Sequence, residues 1–266
     1  MSAAGALVHR LALGIELLDP VRGGRVYRPI AASIEAVVPP VPSIQRHDSC
    51  LFALIYSDNV RTPLTLRLDD PLRHYVPRRL VVPIATEADA TAGDPPTNPL
   101  PASMRSWRPA LFPGAAYDVT GSATGLRGRV EVNGEPLRWA RIEATVPGSP
   151  EGTPPFRAHG DDRGEFLLIV ADPRLLDELP APDTFSVDVT VLGPNPVPDP
   201  AGNPAALTDP LWDLPLETVA APGAADPVSA GATPPPTYAP LGPSYPVSVP
   251  LTLGRITSRT TPFVPE

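Results

Sequence analysis

Forty-one of the 266 residues are proline, and that count removes most of the folds open to a chain of this length. Proline inside a helix costs ~3 kcal/mol and removes a hydrogen-bond donor. Its usage here is about three times the ordinary level, so long helices are excluded. Apolar residues still make up 42% of the chain, enough to build cores, so wholesale disorder is excluded too. What remains is an all-β architecture with extended, proline-stiffened segments between and beyond its sheets. The length admits two modest domains.

The strands show in the pattern. LALGIELL (11–18), AASIEAVV (31–38), LFALIY (51–56), LTLRL (64–68) and RLVVPI (79–84) are short, leucine-rich or β-branched, and bounded by turn residues. GLRGRVEV (125–132), ARIEATV (140–146), EFLLIV (165–170) and FSVDVTVL (185–192) repeat that character later. Leu64, Leu66 and Leu68 share one face of their strand, and Phe185, Val187, Val189 and Val191 share one face of theirs. A period of two marks strands buried on one side, as in a sandwich. One short helix is expected in DPRLLDELP (172–180), with Asp172 as cap, Pro173 at the first position and Pro180 as stop.

The two halves also match each other. At an offset of 114, Asp48 meets Asp162, Phe52 meets Phe166, Leu54 meets Leu168, Ile55 meets Ile169, and Asp58 meets Asp172. Upstream, GGRVYRPIAASIEAVV resembles NGEPLRWARIEATV through Ile-Glu-Ala; downstream, TPLTLRLDDP parallels DTFSVDVTVLGP. Three matched blocks in one order predict a duplicated module. The expected division is a first sandwich at 1–90, a proline-rich linker at 91–118, a second sandwich at 119–220, and an extended arm at 221–266.

GLRGRVEVNGEPLRWARIEATV followed by DDRGEFLLIV resembles the carboxypeptidase regulatory-like domain. The shared features are a Gly-x-Val strand, an Asn-Gly-x-Pro type of turn, a variable loop and Asp-x-x-Gly-x-Phe. That resemblance covers roughly 125–192 and implies a small transthyretin-like or immunoglobulin-like β-sandwich without activity of its own. The first module shares it only through the repeat, and carries Cys50 where the family has glycine. Hydroxyisourate hydrolases share the transthyretin-like fold, but their strand histidine and terminal Tyr-Arg-Gly-Ser have no counterpart in GIELLD or TTPFVPE.

Chemistry gives little to hold. Asp161, Asp162 and Glu165 raise the possibility of calcium, but the acids lack EF-hand spacing. Asp and Gly suit a tight turn into a core strand, and the turn is the expected reading. His9, His47, His74 and His159 form no helical metal pair, and the single Cys50 cannot build a zinc site. Cys50 reads as a small buried hydrophobe, and no Gly-x-Ser-x-Gly elbow occurs. Neither catalytic residues nor cofactor or metal ligands are assigned. A net charge of -8 argues against nucleic acid, and the basic cluster Arg73, His74, Arg78 and Arg79 reads as the polar side of a strand pair. No run reaches the roughly 18 apolar residues of a membrane helix. The N-terminus lacks the shape of a cleaved signal, which predicts cytoplasmic synthesis, and one cysteine requires no oxidising compartment.

Eighteen prolines follow Gly193, where polyproline II is the natural local state. In YPVSVPLTLGRI, Tyr245, Val247, Val249, Leu251 and Leu253 alternate with Pro246, Ser248, Pro250 and Thr252. The prolines leave one edge of such a strand unable to donate, while the odd residues can pair with a sheet edge in this chain or in a neighbouring subunit. Residues 222–244 are expected to be mobile until a neighbour orders them. The resulting expectation is a non-enzymatic structural subunit that binds other proteins in a multi-subunit particle, a phage-tail-like contractile injection system or virion appendage by analogy. The rival is a free-standing carbohydrate- or protein-binding module using Trp107, Trp139 and Trp212.

Overall fold

The computed structural model describes residues 10–35, 39–49, 51–90, 100–119, 121–170, 184–201, 203–221, 225–242 and 245–264. Cys50 and the expected helix at 172–180 lie outside them. The fold is all-β, and among the described residues no helix is long and apolar enough to cross a membrane. Two compact units form. The first comprises Met1–Pro71, Pro77–Leu111 and Pro215–Thr233; the second comprises Leu72–Val76, Phe112–Leu214 and Pro234–Glu266. The chain therefore passes from one unit to the other five times.

In the first unit, β1 (Leu11–Ile15) leads into a small hairpin, β2 (Leu18–Asp19) with β3 (Gly24–Arg25). Then come β4 (Ala31–Ile34), β5 (Ile44–Arg46), β6 (Phe52–Ile55), β7 (Leu64–Asp69), β8 (Arg78–Val82) and β9 (Ser106–Trp107). One sheet runs β5-β6-β1-β9. The other runs β17-β8-β7-β4, with β17 (Leu216–Thr218) arriving from far along the chain. Along β7 and β8, Leu64, Leu66, Leu68, Arg78, Leu80 and Val82 are buried while the residues between them are not. Leu13, Ile15, Phe52 and Leu54 supply the buried face of the first sheet. This is the period-two pattern that the sequence displays.

The second unit has β10 (Gly125–Arg129), a hairpin of β11 (Glu131–Val132) and β12 (Glu135–Pro136), β13 (Arg141–Thr145), β14 (Phe156–His159), β15 (Glu165–Ile169) and β16 (Thr184–Pro194). It is completed by β18 (Tyr238–Pro240), β19 (Val247–Thr252) and β20 (Ile256–Ser258). One sheet is β15-β10-β20; in the other, β16 carries β13 on one side and both β18 and β19 on the other. Leu126, Phe166 and Leu168 from the first sheet join Ile142, Val187, Val189, Val191, Val249 and Leu251 from the second in one core. Phe263 closes it at 1% exposure. Asn133 and Gly134 form the β11–β12 turn with φ of 54° and 81°, the two positive values that a type I′ hairpin needs.

Pairings inside the units recur at the sequence offset. Leu11 faces Ile55 as Gly125 faces Ile169. Tyr56 N donates to Arg10 O at 2.8 Å, and Val170 N to Thr124 O at 2.9 Å. In each unit the first strand also receives a short parallel strand, β9 on β1 and β20 on β10. The registers then part by one residue: a shift between Leu11 and Leu13 sets Phe52 opposite Ile15, whereas Phe166 sits opposite Gly128. Both phenylalanines are buried.

Three expectations change. The sequence divides into consecutive blocks, but the units interleave, because period-two alternation tells which face is buried and not which strand lies alongside. The segment after 221 does not stand apart. Among its described residues, Asp226 carboxylate oxygens accept from Ala220 N and Ser229 N within the first unit, and β18, β19 and β20 pair within the second. Arg78, read as part of the polar side of a strand pair, instead shares the buried face of its strand with Leu80 and Val82 and is wholly buried.

Candidate functional sites

The GDDRGEF stretch is a turn. Asp161 Oδ1 accepts from Arg163 N at 2.8 Å and Glu165 N at 3.0 Å. Asp161 N donates to Glu165 O, and Gly164 N to Asp161 O. Gly164 has φ of +72°, and a Cβ there would meet Val130 O at 2.5 Å. Glycine is thus required twice over, by conformation and by space. Gly164→Ala should cost about 3 kcal/mol, the upper end of backbone-strain costs, read as a shift in the denaturant midpoint. Asp162 is held by Arg73, with Nη1 at 2.9 Å and Nη2 at 3.1 Å from its two oxygens. Asp161 Oδ1 is therefore committed to backbone N–H groups and the Asp162 carboxylate to a guanidinium.

The matching turn of the first unit uses a different side chain for the same bonds. His47 N donates to Leu51 O at 2.8 Å, and His47 Nδ1 accepts from Ser49 N at 3.1 Å. By the 114 offset His47 stands where Asp161 stands, so its counterpart is Asp161. His159 is buried and stacks on Phe112 with ring centroids 3.8 Å apart.

Burial pushes the Asp161 carboxyl above its ordinary range; the N–H groups of Arg163 and Glu165 oppose this, and the charges of Asp162 and Glu165 add to it. An acid raised on folding binds protons more readily in the native state, so its contribution to stability falls as pH rises through that window. Asp161→Asn keeps the Oδ1 acceptor and removes the ionisation. The variant should therefore lose less stability than the wild type as pH rises from about 4, the ordinary Asp value, in urea titrations across pH.

The alternating C-terminal strand is β19, and it pairs in this chain: Val247 faces Val189, Val249 faces Val187, and Leu251 faces Phe185. Val249 and Leu251 are core residues, while Tyr245 and Val247 pack against the core. Leu253 lies just beyond the strand and is half-buried. Ser248 and Pro250 are exposed. Trp107 and Trp139 are 1% and 2% exposed, so two of the three tryptophans considered for carbohydrate stacking are internal. Trp107 Nε1 donates to Ser229 Oγ at 2.7 Å, and Trp139 Nε1 to Asp213 Oδ1 at 2.8 Å. Trp212 is half-buried.

A site absent from the sequence reading crosses the exposed side of β5-β6-β1-β9. Gly14 faces Ala53 on one neighbour and Ser106 on the other. Three small residues on adjacent strands leave a cleft of about 450 Å³, bounded by Leu11, Leu51 and charged side chains. At its rim Glu16 is shared by two arginines, with Arg25 Nη2 at 2.8 Å and Arg108 Nε at 3.0 Å. Two cations against one anion leave a positive excess. No local sequence pattern could have found this, because the three floor residues come from segments that meet only through pairing.

No protein-family model matches the chain, and neither a curated protein nor a solved structure is significantly similar to it.

Proposed function

We propose that the protein is a non-enzymatic structural subunit that acts by binding neighbouring proteins in a multi-subunit particle. The observation that carries this reading is the interleaved path of the chain through two β units. Each unit is closed by short strands from distant segments, laid parallel to β1, β8 and β10. An open strand edge that captures a distant segment is the kind of surface to which a neighbouring chain can add a strand. The resemblance of 125–192 to carboxypeptidase regulatory-like domains, generally modules without activity, supports the same reading. The Asn133-Gly134 hairpin and the Asp161-to-Gly164 turn are the features it rests on. A phage-tail-like contractile injection system or a virion appendage is the class of particle proposed, by analogy. The test is the state of the native chain. An affinity-tagged copy, expressed from its own locus, should sediment with other proteins far above its own 28.0 kDa and cross-link to them. Recovery only as a free 28.0 kDa species would defeat the proposal.

A further inference from the structure

We propose that copies of this chain associate head to tail, with Leu207 of one copy seated in the Gly14–Ala53–Ser106 groove of the next. The idea rests on the assembly reading above and names a contact within it.

Leu207 is 89% exposed, the most exposed large apolar side chain among the described residues. It ends a single 3-10 turn, Pro204–Leu207, whose start is capped by Asn203 Oδ1 accepting from Ala205 N at 3.1 Å. Thr208 N and Asp209 N both donate back to Ala205 O, at 3.1 and 2.8 Å. Pro204 and Pro210 bracket the turn. A side chain presented on a turn this constrained loses little freedom when it is bound. Lone exposed leucines are ordinary; one held outward by a capped, proline-bracketed turn is a preformed anchor.

The groove fits such an anchor in size and sign. Its floor lacks bulk, and a Cβ added to Gly14 would come no closer than 3.6 Å to Leu11 on its own strand and 3.8 Å to Ser106 on the next. A volume of about 450 Å³ lies within the range of ordinary ligand clefts. The rim holds the Arg25 and Arg108 excess, and Asp209 follows Leu207 by two residues. The units differ in charge in the same sense. The first carries eleven arginines against twelve acids, the second ten against seventeen. An acidic second unit is thus drawn to a cationic rim on the first unit of another copy. Because the two patches differ, the contact is heterologous and continues into a ring or filament.

The experiment is sedimentation of the full chain across the micromolar range. Average mass should rise with concentration, and rise less in molar salt. Leu207→Asp and Ala53→Phe should each weaken association about tenfold or more, as loss of an anchor does. Ser106→Phe fills the same groove from an exposed position should Ala53→Phe fail to fold. Each variant alone keeps one intact patch, so mixing Leu207→Asp with Ala53→Phe should give one-to-one pairs and nothing larger. A wild type that stays monomeric, variants that assemble like the wild type, or a mixture that forms no pairs would each overturn the contact. A monomeric wild type that still cross-links to other proteins in native particles overturns this contact alone and leaves the assembly reading standing.

Discussion

Chains that end at Thr233 are expected to have no folded second unit. That truncation removes β18, β19 and β20, and with them Val249, Leu251 and Phe263, which are at most 4% exposed. Losing a buried aliphatic or aromatic side chain costs about 2–5 kcal/mol, and three are lost together. The long strand β16 also loses its pairing from Thr184 to Val189 with β19. The sum reaches the whole stability of an ordinary domain, about 5–15 kcal/mol. Near-ultraviolet circular dichroism should lose the signal of packed aromatics, and limited proteolysis should cut within 125–192. Ending at Ala221 should go further, because Asp226 and Ser229 leave the first unit as well. A truncated chain with the full-length melting transition would mean that β19 and Phe263 are not needed in the core. The sequence alone predicts that outcome, since a proline-rich tail reads as dispensable.

Removing one partner of the Arg78–Glu217 pair should be nearly as severe. Both side chains are at most 1% exposed, with Nη2 2.8 Å and Nε 3.0 Å from the two carboxylate oxygens. Arg78 also donates to the carbonyls of Ala110 and Ser229 at 2.9 Å each and to that of Val228. One guanidinium therefore ties β8 to Pro215–Thr233 and to the end of Pro77–Leu111. Breaking a buried pair by deleting one partner costs about 3–5 kcal/mol, because the other charge is left unpaired. Glu217→Ala should lower stability by that amount in urea unfolding. Arg78→Met combined with Glu217→Leu should recover most of the loss, since replacing both charges by apolar side chains is often close to neutral. If the double variant is as unstable as the single one, the carbonyl contacts and not the charge pair hold the segment.

These two results mark where the sequence stops being legible. Alternation exposed the strands, as in Leu64, Leu66 and Leu68, since a residue's face follows from its position along a strand. Local turn chemistry was equally visible. Asn133-Gly134 and Gly164 adopt the positive φ their types favour, and Asp161 accepts the N–H groups of the turn. Partners distant in sequence were not visible. Nothing in Ser106-Trp107, Leu216-Glu217-Thr218 or Ile256-Thr257-Ser258 says which strand each will join. Arg78 shows the limit most clearly: alternation sets it on the face of Leu80 and Val82, but the charge of an arginine reads as surface. Its burial depends on a glutamate 139 positions away. The groove was hidden for the same reason: Gly14, Ala53 and Ser106 are unremarkable until pairing sets them in a row.

The interleaved path fixes the order in which the chain can mature on the ribosome. The first unit holds the opening 71 residues, yet it lacks β17 and the Glu217 carboxylate until Pro215–Thr233 has been made. After Leu111 leaves the exit tunnel, more than 100 further residues must be translated first, a wait of roughly 5 to 20 s at ordinary translation speeds. During that time Arg78 has no carboxylate and β8 presents a bare edge, the kind of surface that invites pairing between nascent chains. Most domains begin folding from their N-termini as they emerge, but here both units close only with segments made after Leu214. Slow translation before Pro215 lengthens the exposed interval, and a chaperone that shields strand edges shortens its consequences.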